Sequence, residues 1–330
     1  MTTNSEETSS LFIPTVDISP YLRNRDSAAA RQVVKDIRAA CISTGFFQIV
    51  GHGVRKELQK AVFDGAKRFF NLPFAVKKSL DAQTTTGHRG YDVLASQTYG
   101  DDTLPDLKEG FFVGEDMPTD DPRVVNGRFF MGPNVWPDPS MLSTEEFREP
   151  MERYHTTLHE LTIRVLEIIE DTLPYGRGIF ADVIANNPVT PMRILHYPPA
   201  RPNSSDKPQF GASAHTDFGT ITLLLQDESP GLEVLDARSK TWVPVPPNPD
   251  AYVVNIGDLL SVWTGNEYVS NVHRVINRSP RDRYSVVFFF DGNLDAELRA
   301  LDGSEKDVVD PLTVEKHMRR RFTESYAARS

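Results

Sequence analysis

His215-Thr216-Asp217 is the segment of the chain best equipped for chemistry. It lies between a small-residue run, Ala212-Ser213-Ala214, and an apolar run from Ile221 to Leu225. In extended backbone, residues two apart point to the same face, so one imidazole and one carboxylate project together. His-x-Asp alone is common and specifies little. A third group, His273, follows 56 positions after Asp217 in Asn271-Val272-His273-Arg274-Val275, a run of strand composition. Two histidines and one carboxylate on one face of a metal leave its other positions open. That arrangement suits ferrous iron, with room for a cosubstrate and O2 together.

Arg283-Tyr284-Ser285 comes ten residues after His273 and begins another strand-like run. Arg283 and Ser285 share one face of it, and an Arg fork beside a hydroxyl is a good carboxylate receptor. Charge arithmetic explains the need. Fe(2+) held by one aspartate is left with a single positive charge. A dicarboxylate chelating through one end brings one further negative charge, and burying that without a partner is costly. Arg283 supplies the cation. Other histidines carry weaker signals: His155 and His159 have the i, i+4 spacing of a zinc pair, but Thr156 stands where a zinc protease would place its general-base Glu. Arg319-Arg320-Arg321 reads as a solvated helix face.

These groups need scaffolding. Apolar spacing predicts helices over Ala28–Ser43, Lys56–Phe70 and Glu149–Leu173, and one more from Pro311 to Ala328 with Thr313 as its cap. Leu11–Ile18 and Phe46–Val50 read as strands. Residues 81–140 are rich in Gly and Pro loops. After Pro188 the texture becomes β-rich, with short runs at Met192–Tyr197, Ala212–His215, Thr220–Gln226, Leu232–Leu235, Trp242–Pro244, Ala251–Ile256, Leu259–Val262, Ser270–Val275 and Tyr284–Phe290. Such spacing points to a sandwich or barrel. The expected organisation is an N-terminal mixed α/β region (1–120), a connecting loop and helix (121–185), a β core (186–295) and a C-terminal helix (296–330).

The 330 residues carry a net charge of −10, with 39% hydrophobic and 25% charged residues. This is a globular balance and a poor one for gripping nucleic acid or anionic membranes. The single cysteine, Cys41, leaves no disulfide framework and no Cys-rich metal site. No apolar run is long enough to span a membrane. The Ser/Thr/Glu-rich Met1–Ser10 lacks an apolar signal core and reads as a frayed tail; a cytoplasmic protein is expected.

The sequence resembles the Fe(II)/2-oxoglutarate-dependent dioxygenases of the isopenicillin N synthase-like family. The likeness runs along nearly the whole chain, through Ile13–Asp17, Gly45–Ile49, Gly51-His52-Gly53-Val54, Phe69–Pro73, Arg89-Gly90-Tyr91 and Asp106–Glu109. It continues through Arg193–Pro199, His215–Gly219, Asn255-Ile256-Gly257-Asp258, His273-Arg274-Val275 and Arg283-Tyr284-Ser285. The resemblance implies an α+β, mainly β fold: a double-stranded β-helix (a jelly roll, cupin-like) flanked by helices. It implies Fe(2+) on His215, Asp217 and His273, and 2-oxoglutarate against Arg283 and Ser285, with the Tyr197 hydroxyl also reaching the far carboxylate. Leu195 replaces an Asn common in the family. The resemblance also points to Phe289 and Asp291 facing the substrate, Phe218 packing on the iron side, and Arg89 and Tyr91 reaching over the mouth; Trp263 and Asn266 are weaker candidates.

The implied reaction consumes O2 and 2-oxoglutarate, releases succinate and CO2, and oxidises a small organic molecule of secondary metabolism. Hydroxylation, desaturation, ring closure or ring expansion are all within its reach. The alternatives are a family oxidase that uses O2 without 2-oxoglutarate, a thymine-type nucleobase hydroxylase, a non-catalytic small-molecule receptor on the same scaffold, and a zinc hydrolase. The sequence leaves the oligomeric state open.

Overall fold

The computed structural model describes residues 11–98, 102–199, 206–304 and 311–326. The expected tail, Met1–Ser10, lies outside the described residues, as does Gly100 of the loop region. The described strands are β1 (Thr15–Asp17), β2 (Phe46–Val50), β3 (Gly90–Asp92), β4 (Glu109–Val113), β5 (Met192–Tyr197) and β6 (Ala212–His215). They continue as β7 (Ile221–Gln226), β8 (Leu232–Asp236), β9 (Thr241–Pro244), β10 (Tyr252–Ile256), β11 (His273–Val275) and β12 (Arg283–Phe290). They form an eight-stranded sheet, β1-β2-β10-β7-β12-β5-β4-β3, and a four-stranded sheet, β6-β11-β8-β9. The two sheets face each other as a double-stranded β-helix, with a cavity between them. Strands from the first 120 residues extend the large sheet at both edges, so that region shares the sheet on which the site is built.

Helices α1 (Ala28–Ser43), α2 (Lys56–Phe70) and α3 (Arg148–Thr172) back the large sheet. Their buried residues recur at helical spacing, as in Val33, Ile37, Ala40 and Cys41, or Leu158, Leu161, Val165 and Ile169. Each fully buried Leu or Ile contributes roughly 1.5–3 kcal/mol, which holds the sheet rigid behind the cavity. Ser27 caps α1 by accepting a hydrogen bond from the Ala30 N–H at 3.0 Å.

Leu259–Val262, expected as a strand, lies instead in a short helix, α4 (Asp258–Trp263). Four apolar residues fit either state. Here Gly257 is the extended residue before the helix and Asp258 occupies its first turn, which favours helix. The last helix, α5, spans Val314–Tyr326. Thr313 accepts from the Lys316 N–H at 3.4 Å, as a cap should. The arginine run of α5 is not simply solvated. Arg319 binds Glu315 and the Gly127 carbonyl, and Arg321 reaches Asp258 and Thr216. A long guanidinium stem can pack inward wherever acceptors are offered; Arg320 stays exposed.

Candidate active site

β6 ends on His215 and β11 opens on His273, and antiparallel pairing places the two directly opposite each other. Their ring centroids are 4.4 Å apart. Beyond β6 the chain turns so that Asp217 Oδ1 lies 3.7 Å from His215 Nε2 and 3.8 Å from His273 Nε2. The backbone sets both tautomers. Nδ1–H of His215 donates to the Ser213 carbonyl at 2.7 Å, and Nδ1–H of His273 to the Asn271 carbonyl at 3.2 Å. A carbonyl only accepts, so each Nε2 presents its lone pair as a donor to metal. The three side chains are the one group of His, Cys, Asp and Glu among the described residues whose donor atoms converge this way, all within 4.8 Å of one another. This donor set fits ferrous iron.

Asp217 is itself held. Its Oδ2 accepts from Thr222 Oγ1 at 2.6 Å and from Asn255 Nδ2 at 2.8 Å, leaving Oδ1 on the imidazole side. Thr222 and Asn255 are register partners on β7 and β10, so one rung of the large sheet orients the carboxylate. The Asp258 N–H donates to the Asp217 carbonyl at 2.9 Å. Gly257 permits this close approach, since a Cβ there would sit 2.1 Å from the Gly219 carbonyl oxygen. Burial, followed by the neighbouring His273, pushes the His215 imidazole down to about 4, so it is neutral at ordinary pH. Burial opposes the Asp217 carboxylate, but the two facing imidazoles and the hydrogen bonds of Thr222 and Asn255 outweigh it and hold the group below its usual range.

At the other end of the cavity Arg283 is fully buried. Its Nη2 donates to Gln226 Oε1 at 2.9 Å, and its guanidinium carbon lies 4.8 Å from the Tyr197 ring centroid. Arg283 Nε and Nη1 and Ser285 Oγ are buried without a partner among the described residues. Buried donors are seldom left unmet, and each costs roughly 1–3 kcal/mol or more. A carboxylate is the kind of acceptor that would meet such donors. Tyr197 sits opposite Arg283, and Leu195 opposite Ser285. Leu195 therefore puts an apolar side chain opposite the Ser285 hydroxyl.

Phe218, Phe289 and Asp291 line the same cavity as the three metal-ligand candidates. A further wall comes from Phe112, Phe129, Phe130 and Phe322, whose rings meet at centroid distances of 4.6 to 5.7 Å. Asp291 is 2% exposed, and no donor among the described residues reaches its carboxyl. Gly219 makes room for it, because a Cβ there would lie 2.3 Å from Asp291 Oδ1. Burial and then the Asp217 charge push the Asp291 pKa well above the ordinary carboxylate range.

Arg89 and Tyr91 are not brought to the mouth. Arg89 is buried and spends its fork on the Gly87 and Phe130 carbonyls, both at 2.7 Å, so it braces the phenylalanine wall from behind. The Tyr91 hydroxyl donates to Glu109 Oε2 at 2.5 Å. Trp263 donates to the Glu297 carbonyl and, like Asn266, lies away from the cavity. His155 binds the Thr190 carbonyl at 2.8 Å instead of pairing with His159 at a metal. Sequence reasoning gave no role to Thr222 and Asn255, or to Phe112, Phe129, Phe130 and Phe322. The Asn255–Asp258 segment was visible as a landmark, but its partner rung was not.

Comparison with known proteins agrees with this geometry. Residues 13–139 match the family described as non-haem dioxygenase in morphine synthesis N-terminal, and residues 188–292 match the 2OG-Fe(II) oxygenase superfamily. The chain is 54% identical over 321 residues to the 2-oxoglutarate-dependent dioxygenase citB of Monascus ruber, covering 96% of this chain and 97% of that one. It is 48% identical to clavatol oxidase claD of Penicillium crustosum, covering 96% and 98%. The fold is similar to that of a full-length Neurospora crassa protein crystallised in complex with alpha-KG, with a TM-score of 0.81 at 25% identity over 96% of this chain and 97% of that one.

Proposed function

The chain belongs to the 2OG-Fe(II) oxygenase superfamily as a 2-oxoglutarate-dependent dioxygenase acting on a small molecule, and from that premise we propose how its residues divide the work. His215, Asp217 and His273 hold Fe(2+). Arg283 and Ser285, with Tyr197 beside them, receive the far carboxylate of 2-oxoglutarate. Phe218, Phe289 and Asp291 face the primary substrate. When bound, the iron and 2-oxoglutarate together use O2 to oxidise the substrate, with succinate and CO2 released.

The protein contributes placement. Thr222 and Asn255 keep Asp217 turned toward the imidazoles, as outer partners of metal ligands do. The Arg283 fork fixes the cosubstrate at its far end, where a buried cation meets a buried anion. The phenylalanine wall excludes water and favours a flat ring, and Asp291 offers such a ring one hydrogen bond. Which bond reacts is decided by which is held nearest the metal. Hydroxylation, desaturation, ring closure and ring expansion thus differ by pose. Oxidative tailoring in secondary metabolism is the setting that suits such a pocket.

The observation that carries this reading is the set of unmet donors on Arg283 and Ser285 in the cavity that holds the triad. A receptor would have no use for three converging metal donors, and a zinc hydrolase none for a buried unmet Arg. An oxidase that ignores 2-oxoglutarate could keep the same Arg and Ser. The 54% identity to a 2-oxoglutarate-dependent dioxygenase favours the 2-oxoglutarate user, and succinate release during O2 uptake separates the two. A nucleobase needs partners along two edges, whereas Arg193 and Lys108 in the wall are already paired with Asp92 and Asp106. The test is anaerobic addition of ferrous iron and 2-oxoglutarate. A metal-to-ligand charge-transfer band is expected with wild type and none with His215→Ala. An unchanged band in the variant overturns the assignment.

A further inference from the structure

Arg321 touches the metal-binding loop twice and its neighbour, α4, once. It pairs with the Asp258 carboxylate, its Nη2 donates to Thr216 Oγ1 at 3.1 Å, and its guanidinium carbon lies 4.5 Å from the Phe218 ring centroid. Thr216 separates the proposed ligands His215 and Asp217, and Phe218 follows them. Asp258 is no distant anchor. Its N–H holds the Asp217 carbonyl, and its Oδ1 accepts from Ser270 Oγ at 2.7 Å. One planar fork therefore joins the loop to Asp258 at the start of α4, a task a point charge performs less well.

The same helix, α5, faces the cavity with Met318, Phe322 and Ser325. Its first turn is seated on the phenylalanine wall: Glu315 accepts from the Phe129 N–H at 2.8 Å and from Arg128 Nε at 2.7 Å. α5 is thus tied at one end to the substrate wall and, through Arg321, to the metal loop. A single ion pair at this partial exposure, 25% for Arg321, is worth little as stability. What it does is join two walls of one chamber.

We propose that Arg321 is a positioning residue that locks α5 to the His215–Asp217 loop, so that loading the metal site orders the substrate-facing helix. The inference rests on the metal site proposed above. Coupling between sites is reciprocal, so whatever tightens the loop tightens α5, and the reverse.

Hydrogen–deuterium exchange of the full chain, with and without ferrous iron and 2-oxoglutarate under anaerobic conditions, tests it. In wild type, exchange across α5 is expected to slow by about fivefold or more on loading. In Arg321→Ala that slowing disappears from α5 while β12, around Arg283, still responds. Thr216→Val removes only the hydroxyl acceptor and is expected to weaken the α5 response in part; it serves if Arg321→Ala fails to fold. Equal slowing of α5 in wild type and Arg321→Ala overturns the proposal, and so does an unresponsive α5 in a wild type that shows the charge-transfer band. Absence of the band in wild type overturns the metal site first and this inference with it.

Discussion

The β5–β12 pair carries two buried polar clusters on its two faces, one register step apart. On one face His196 lies opposite Tyr284, and on the other Tyr197 lies opposite Arg283. The first cluster is saturated. Glu109 accepts from Lys77 at 2.7 Å, Tyr91 at 2.5 Å and His196 Nδ1 at 2.7 Å. His196 Nε2 continues to Asp282 at 2.8 Å, and its ring stacks on Tyr284 at 4.9 Å. The second cluster is open, with Arg283 and Ser285 donors unmet. Both are buried and both contain charge. Satisfaction tells them apart: the closed cluster serves the fold, and the open one is arranged for a group the chain does not itself supply.

That contrast breaks first under Glu109→Ala. The change strands the Lys77 ammonium, whose side chain is 9% exposed, and breaking a buried pair this way costs about 3–5 kcal/mol. A large fall in the urea midpoint is expected, while 2-oxoglutarate affinity per folded molecule stays within about twofold. A large loss of affinity at unchanged stability would erase the distinction between the two faces. Arg283→Ala is the mirror experiment. No carboxylate among the described residues is hydrogen-bonded to Arg283, whose one side-chain acceptor is the neutral Gln226 amide, so the urea midpoint is expected to fall far less than in Glu109→Ala. The variant should raise the 2-oxoglutarate Kd by a factor equivalent to about 2–5 kcal/mol, as for a truncated buried charge pair. Calorimetric titration separates this from iron binding, which is expected to change little.

Asn255→Ala sharpens the comparison at the metal. It removes one of the two bonds holding Asp217 Oδ2, and losses of this kind cost about 10–100-fold in metal affinity. The expected result is weaker iron binding with 2-oxoglutarate affinity at the proposed Arg283 site unchanged, read as a rise in the iron concentration needed for half of the charge-transfer band.

How much of this was legible in the sequence follows from how local each relation is. Residues two apart on one strand share a face by geometry alone, so Arg283 with Ser285 was readable. His215 and Asp217 were expected to pair for the same reason, but β6 ends at His215 and a turn, not strand alternation, brings Asp217 beside it. His273 needs the β6–β11 register, and Asn255 needs its pairing with Thr222; neither is written in local spacing. The strand composition around His273, backed by the family resemblance, marked the first of these as a candidate; the second appeared only as a landmark. Arg89, Tyr91 and Arg321 show the limit for long polar side chains. On a loop or a helix end, the sequence does not tell whether the fork reaches substrate, a carbonyl or another element. Leu259–Val262 shows the same limit for a short apolar run, which fits strand or helix until Gly257 and Asp258 are seen to start a helix.

The smallest expected effect is a slope in pH. Burial alone would lower the His196 pKa, yet the Glu109 and Asp282 carboxylates outweigh it and raise it above the ordinary value near 6.5. Glu109 is opposed by burial too, but His196, Lys77 and Tyr91 hold it below the ordinary value of 4.5. A raised histidine stabilises the fold fully below pH 6.5 and loses that contribution as pH climbs through its folded value. A depressed glutamate stabilises fully above 4.5 and loses its contribution as pH falls through its folded value. Within this cluster stability is therefore greatest between those limits and declines on both sides. Melting temperatures measured across pH 5–9 are expected to fall on the alkaline side in wild type. In His196→Gln that alkaline decline flattens, because an uncharged amide has no proton to lose. An identical alkaline slope in the two proteins would place the titrating group elsewhere and remove histidine from the closed cluster's charge balance.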